Sequence, residues 1–171
     1  MTVTDTHDLV LDPGEYAVAT AGTRIRTLLG SCVSITLWHP QLRIGAMSHF
    51  LLAQRGSTDP GVLDARYGEE SLELMIKDLA RMHVYPAQCE AKIFGGGNMF
   101  PEHEQPGSLQ VGRRNGEAAR AMLLAHGIRI VSESLFGHGH RHIAFDVASG
   151  DVWVRFMHSI PGFVPVPGAK P

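Results

Sequence analysis

The sequence predicts an α+β fold, a layered α/β sandwich whose sheet is mostly antiparallel. Two observations predict it. About seven segments read as strands and only two as main helices, too few helices to clothe both faces of a doubly wound parallel sheet. The chain has 171 residues, 44% hydrophobic and 19% charged, which suits one soluble globular domain over 1–171 with a core of its own.

The elements follow in order. Residues 1–13 read as a loose tail. "EYAVAT" (15–20) alternates weakly as a first strand, and "IRTLLGS" leads into "CVSITLWH". There Val33, Ile35 and Leu37 fall on one face and Cys32, Ser34, Thr36 and Trp38 on the other. Pro40 marks a turn, and "LRIGAMSHFLLA" reads as the next strand. Residues 54–68 form a loop rich in Gly, Pro and Asp, set to connect or to rim a site. "EESLELMIKDLARMH" is a helix: Leu72, Met75, Ile76 and Leu79 recur at helical spacing, and acidic residues occupy its first turn. "CEAKIFGGG" is a buried strand entering a glycine turn, and "NMFPEHEQPGSLQ" is loop. "GRRNGEAARAMLLAHG" is the second helix, with Ala118, Met122 and Leu123 inward and Gly127 as its stop. "IRIVSESLFG", "RHIAFDVA" and "DVWVRFM" read as strands, the last two joined at Ser149-Gly150. Residues 158–171, ending in "IPGFVPVPGAKP", read as a loose, extended tail.

Charge and cysteine usage narrow the function. The net charge is -2, with 15 Lys and Arg spread along the chain, so no basic stripe calls for nucleic acid or an anionic membrane. No apolar stretch reaches a membrane span, and the polar, acidic start does not read as a signal peptide. Two cysteines make no disulfide framework. A cytoplasmic protein with reduced thiols is expected, with no cofactor and no metal.

Cys32 then becomes the question. If the hairpin turn centres between Pro40 and Gln41, opposed positions sum to 81, and Cys32 faces His49 with β-carbons about 5 Å apart. A loop of three or five residues shifts the register by one and parts the pair, whereas a loop of four keeps them on one face. A nearby imidazolium lowers a thiol's pKa, and the thiolate attacks carbonyl carbon while the histidine returns a proton to the leaving amine. The Gly30-Ser31 backbone just before the cysteine can offer N–H groups to the oxyanion. Ser31 is a weaker alternative nucleophile. Against this stands the common role of a cysteine as a small core hydrophobe.

Other features carry less. Gly95, Gly96 and Gly97 lack the lysine and serine of a phosphate loop and read as a tight turn near the site, with Asn98 donating to substrate or holding the turn. His138, His140 and His142 alternate as metal ligands can, but read as solvated surface. Cys89 reads as core. Asn115 caps the second helix or touches a partner; capping is the preferred reading.

These same residues resemble a known family. "TLLGSCVSITLWHP" with "IGAMSHFLL", then "AKIFGGGNMF", "VGRRNGEAARAMLLAHGIRIVSESLFG" and "RHIAFDVASGDVWV" resemble the CheD chemoreceptor glutamine deamidases over roughly residues 15–156. The resemblance implies a CheD-like cysteine hydrolase fold shared with bacterial toxin deamidases. It implies Cys32 as nucleophile, His49 as its partner and a threonine, for which Thr27 is the nearest match, holding the imidazole in one tautomer. Beside these, the residue reading sets Gly30, Ser31, Gly96 and Asn98 as the expected substrate-binding or oxyanion groups. The implied reaction is hydrolysis of a glutamine side chain on the cytoplasmic helices of a chemotaxis receptor through a thioester, with methyl-ester hydrolysis as a second activity. In some relatives a CheC-type phosphatase binds and restrains the enzyme. A non-catalytic chemotaxis adaptor and a cysteine hydrolase of another amide or ester are the competing functions.

Overall fold

The structure, a computed structural model, describes residues 5–56, 61–99 and 110–157. Within them the chain forms nine strands and two α-helices: β1 His7–Val10, β2 Tyr16–Thr20, β3 Thr23–Leu29, β4 Val33–His39, β5 Ile44–Ser48, α1 Gly68–Arg81, β6 Glu90–Gly95, α2 Val111–Ala125, β7 Arg129–Leu135, β8 His140–Asp146 and β9 Val152–Met157. A 3-10 turn at Pro86–Gln88 precedes β6. One sheet has four strands in the order β1-β3-β8-β9, the other five in the order β2-β5-β4-β6-β7. Only β1–β3 and β6–β7 pair in parallel, so the expected mostly antiparallel α+β sandwich is what the chain builds.

Alternation along β4 explains the layering. Val33, Ile35 and Leu37 join Leu72, Met75 and Leu79 of α1 and Ala119, Met122 and Leu123 of α2 in one core between helices and sheet. On the other face, Cys32 and Trp38 pack with Ile25, Leu29, Met47, Phe94, Ile143 and Phe145 in a second core between the sheets. Strand side chains alternate faces, so one seven-residue strand serves both cores. Among the described residues nothing packs on the far face of the four-stranded sheet, where Leu28 and Trp153 stand exposed. Among the described residues no helix is long and apolar enough to cross a membrane.

Three expectations are corrected. Residues 7–10, read as part of a loose tail, form β1 along β3, and Leu11 beside them is buried. Residues 23–29 form a strand of the other sheet and do not merge into β4; the chain changes sheets at Gly30–Cys32. The hairpin register sums to 83, not 81, for Leu37 pairs with Ala46 and Trp38 with Gly45. Its loop is the four residues 40–43, closed by the Arg43 N–H donating to the His39 carbonyl at 2.9 Å, with Arg43 in the left-handed region at φ 51. A shift of two preserves the faces. The tail 158–171, residues 57–60 of the exposed loop and 100–109 of the loop before α2 lie outside the described residues.

Candidate active site

The seam where the chain passes from β3 to β4 gathers the candidate residues. Thr27 points inward from β3 and is 5% exposed, and His49, just past β5, is 2% exposed. The Thr27 hydroxyl donates to the Leu11 carbonyl at 2.8 Å, and Thr27 Oγ1 lies 2.7 Å from His49 Nδ1. A hydroxyl has one proton. With that proton given to Leu11, Oγ1 can only accept, so Nδ1 carries the ring's hydrogen and Nε2 is left as the base. Burial pushes the imidazole down to about 4, against a smaller opposing pull from Asp12. His49 is therefore neutral at pH 7.

Cys32 is half-buried, and burial raises its thiol above the ordinary value. The isolated bridge between Val33 and Phe50 extends the register of the hairpin. Ser34 then opposes His49, and Cys32 is its diagonal neighbour on the same face, a separation of about 7–8 Å at the backbone. Among the described residues no hydrogen bond joins the sulfur to the ring. The structure thus puts Thr27 on His49, and the register extended one residue past Val33 sets Cys32 one diagonal step from the ring. It is a neutral thiol near a neutral imidazole, not the ion pair the residues alone led one to expect. A catalytic hydrogen bond that is long in the free enzyme commonly closes when substrate seats.

The glycine turn after β6 braces the Gly30–Cys32 loop. The Gly96 N–H donates to the Cys32 carbonyl and the Gly97 N–H to the Gly30 carbonyl, both at 2.9 Å. Gly96, expected as an oxyanion or substrate donor, has its N–H committed to this bracing. Gly95 sits at φ +106, and a β-carbon there would collide with the Cys32 carbonyl oxygen. At Gly112, in the first turn of α2, a β-carbon would fall 2.6 Å from the Gly96 oxygen. Glycine at both positions lets β6, the Gly30–Cys32 loop and α2 meet at backbone distance. Among the described residues the Ser31 and Cys32 N–H groups have no backbone acceptor, which leaves them as the donors available to an oxyanion.

Beside this loop lies a cleft of about 460 Å³ lined by Ser31, Gly96, Asn98, Arg113, Phe136 and His138 among others. The Asn98 backbone is fixed to Gly137 and Gly139. Phe136 holds a positive φ of 68, and guanidinium groups of Arg113 and Arg120 stand 5.4 and 5.2 Å from its ring. His138 lines the cleft, whereas His140 and His142 contact each other edge to face at 6.2 Å. Cys89 is buried in the helix-side core, and burial lifts its thiol to about 11.

One residue of the site was read in another role and one escaped the sequence reading. Asn115 is the fifth residue of α2 rather than its cap, is 1% exposed, and donates from Nδ2 to the Ser31 and Leu51 carbonyls. The N-cap position belongs to Gln110. Arg141 is 4% exposed and reaches the Gly95 and Phe136 carbonyls and Ser134 Oγ. Its signal was present: with His140 and His142 facing out, alternation turns Arg141 inward.

Comparison with known proteins follows the same lines. A family model described as CheD chemotactic sensory transduction matches residues 51–156, more than half of the chain, beginning two positions past His49. A protein of Albidiferax ferrireducens named probable chemoreceptor glutamine deamidase CheD 2 is 63% identical, covering 85% of each chain. One of Dechloromonas aromatica named probable chemoreceptor glutamine deamidase CheD 3 is 44% identical over 88% of each. One of Thermococcus kodakarensis, named probable chemoreceptor glutamine deamidase CheD, is 41% identical over 83% of this chain and 88% of its own. Among solved structures, YlmD from Geobacillus stearothermophilus is 15% identical with a TM-score of 0.47, over 78% of this chain and 61% of that one.

Proposed function

The chain belongs to the CheD family, and from that premise we infer that it is a chemoreceptor glutamine deamidase with Cys32 as nucleophile and His49 as general base and acid. The substrate is a glutamine side chain on the cytoplasmic helices of a chemotaxis receptor. The observation that supports the residue assignment is the hydrogen-bond chain Leu11–Thr27–His49, which leaves Nε2 as the ring's proton acceptor.

As the Cys32 sulfur attacks the amide carbon, its proton passes to His49 Nε2. The developing oxyanion is met by the Ser31 and Cys32 N–H groups, with Gly30 giving the loop its bend. Nε2 then hands the proton to the departing nitrogen, ammonia leaves, and a thioester remains. Water, deprotonated by Nε2, attacks the thioester, releasing glutamate and restoring the thiol. Asn98, which lines the cleft beside the Gly30–Cys32 loop, is assigned to the substrate amide. Each event sets a negative charge where a neutral side chain stood, which alters helix packing by like-charge repulsion. The same chemistry extends to methyl esters. Cytoplasmic location and a CheC-type phosphatase as a second partner complete the proposal.

Intact-mass analysis of a receptor cytoplasmic fragment tests it. The mass should rise by the difference between OH and NH2 per event with the wild type and stay fixed with Cys32→Ala. Conversion by the Cys32→Ala variant would remove this nucleophile. A fragment left unchanged by the wild type would instead favour a docking role without catalysis.

A further inference from the structure

Three consecutive carbonyls around the nucleophile are each held from outside their loop. Those of Gly30 and Cys32 accept from backbone N–H groups of the glycine turn. The middle one, Ser31, accepts from a side chain, Asn115 Nδ2, at 3.1 Å. In a planar trans peptide the C=O and the following N–H point in opposite directions. Holding the Ser31 carbonyl toward α2 therefore turns the Cys32 N–H the other way, where it meets no backbone acceptor among the described residues.

The primary amide of Asn115 has a second hydrogen. Its Nδ2 also reaches the Leu51 carbonyl at 2.7 Å, two residues beyond His49. One carboxamide, 1% exposed in the second turn of α2, thus ties the segment carrying the nucleophile to the segment carrying the base. A buried amide placed between two loop carbonyls is costly to lose, since both acceptors would be left without a donor.

Resting on the deamidase reading of Cys32 and His49, we propose that Asn115 is a positioning residue for the reaction: its amide sets the Ser31–Cys32 peptide so that the Cys32 N–H faces the oxyanion. It holds that peptide in register with the His49 segment.

Two reagents separate this role from a merely structural one. p-Nitrophenyl acetate is attacked at its carbonyl by the Cys32 sulfur; an oxyanion forms, p-nitrophenolate leaves and an acetyl thioester remains. Iodoacetamide alkylates the same sulfur by displacing iodide, with no oxyanion. Both products are assigned to Cys32 by peptide mapping. Asn115→Ala and Asn115→Ser should slow acylation about ten- to a hundredfold while alkylation stays within about twofold. On the receptor fragment, kcat should fall by a similar factor with KM nearly unchanged. Met122→Ala, which loosens the same helix from within the core, should leave the acylation-to-alkylation ratio as in the wild type.

A joint fall of both rates, no fall in either, an equal change in Met122→Ala, or failure of both Asn115 variants to fold would each overturn the proposal. Should the wild type react with both reagents yet leave the receptor fragment unchanged, the deamidase reading fails, and the ratio still decides the role of Asn115.

Discussion

Thr27 donates its one proton to Leu11, and that choice sets the chemistry of the ring next to it. Thr27→Val keeps the shape but removes both bonds, so His49 loses its fixed tautomer; deamidation should drop roughly 10²-fold, with Thr27→Ser near the wild type. The two titrating groups give separate predictions. Burial raises the Cys32 thiol, and no imidazolium stands beside it at neutral pH. Its alkylation by iodoacetamide should keep climbing above pH 9 instead of levelling near neutrality, as read by peptide mass at each pH. His49 titrates at 6.5 in the unfolded chain and about 4 in the fold, so the unfolded state binds the extra proton between these values. The stability it contributes is complete above pH 6.5 and lost as pH falls through about 4, a contribution on the order of 3 kcal/mol. Urea midpoints at pH 7 and 4.5 should differ more for the wild type than for His49→Asn; equal differences would contradict a buried neutral ring. Of these residues, Cys32 and His49 were singled out by type and spacing, and Thr27 by family resemblance. The hydroxyl's partner was not, because Leu11 offers a backbone carbonyl, which every residue has.

At the level of elements, β4 was readable because its alternation is strict and both faces are buried. β3 was not separated from it, although Ile25, Thr27 and Leu29 alternate with Arg24, Arg26 and Leu28. The apolar run Leu28-Leu29 flows into Gly30 without a polar break, and nothing local announces a change of sheet. The hairpin register missed by two residues because the sequence shows the proline but not the His39–Arg43 closure. The glycine turn after β6 was legible as a turn, yet its purpose depends on which carbonyls lie opposite. Gly95→Ala tests that purpose. Its positive φ and the Cys32 carbonyl both oppose a β-carbon, so the variant should lose at least about 2 kcal/mol in a urea titration. Stability within error of the wild type would show that the turn and the Gly30–Cys32 loop are not in backbone contact.

Across the whole molecule, the candidate site borrows from both sheets and a helix: Thr27 from the four-stranded sheet, Cys32 just before β4 and His49 just after β5 of the five-stranded one, and Asn115 from α2. Residues so far apart in sequence cannot be assigned to one another by periodicity, which reports faces and not neighbours. The layered α+β architecture was readable from element counts; the meeting of its layers was not. Since parting the sheets would part Thr27 from His49, deamidase activity and far-ultraviolet ellipticity should be lost at the same urea concentration. Activity vanishing well before the ellipticity would mean that the site opens by itself. The Leu11 carbonyl gives this arrangement an unexpected outpost. A chain trimmed to begin at Glu15 would keep every residue of the proposed chemistry and forfeit the acceptor that disciplines Thr27. The hydroxyl could then turn its proton toward His49, and the ring would be free to adopt the wrong tautomer. What reads as a dispensable tail is, on this geometry, the far end of the hydrogen-bond chain that fixes the His49 tautomer.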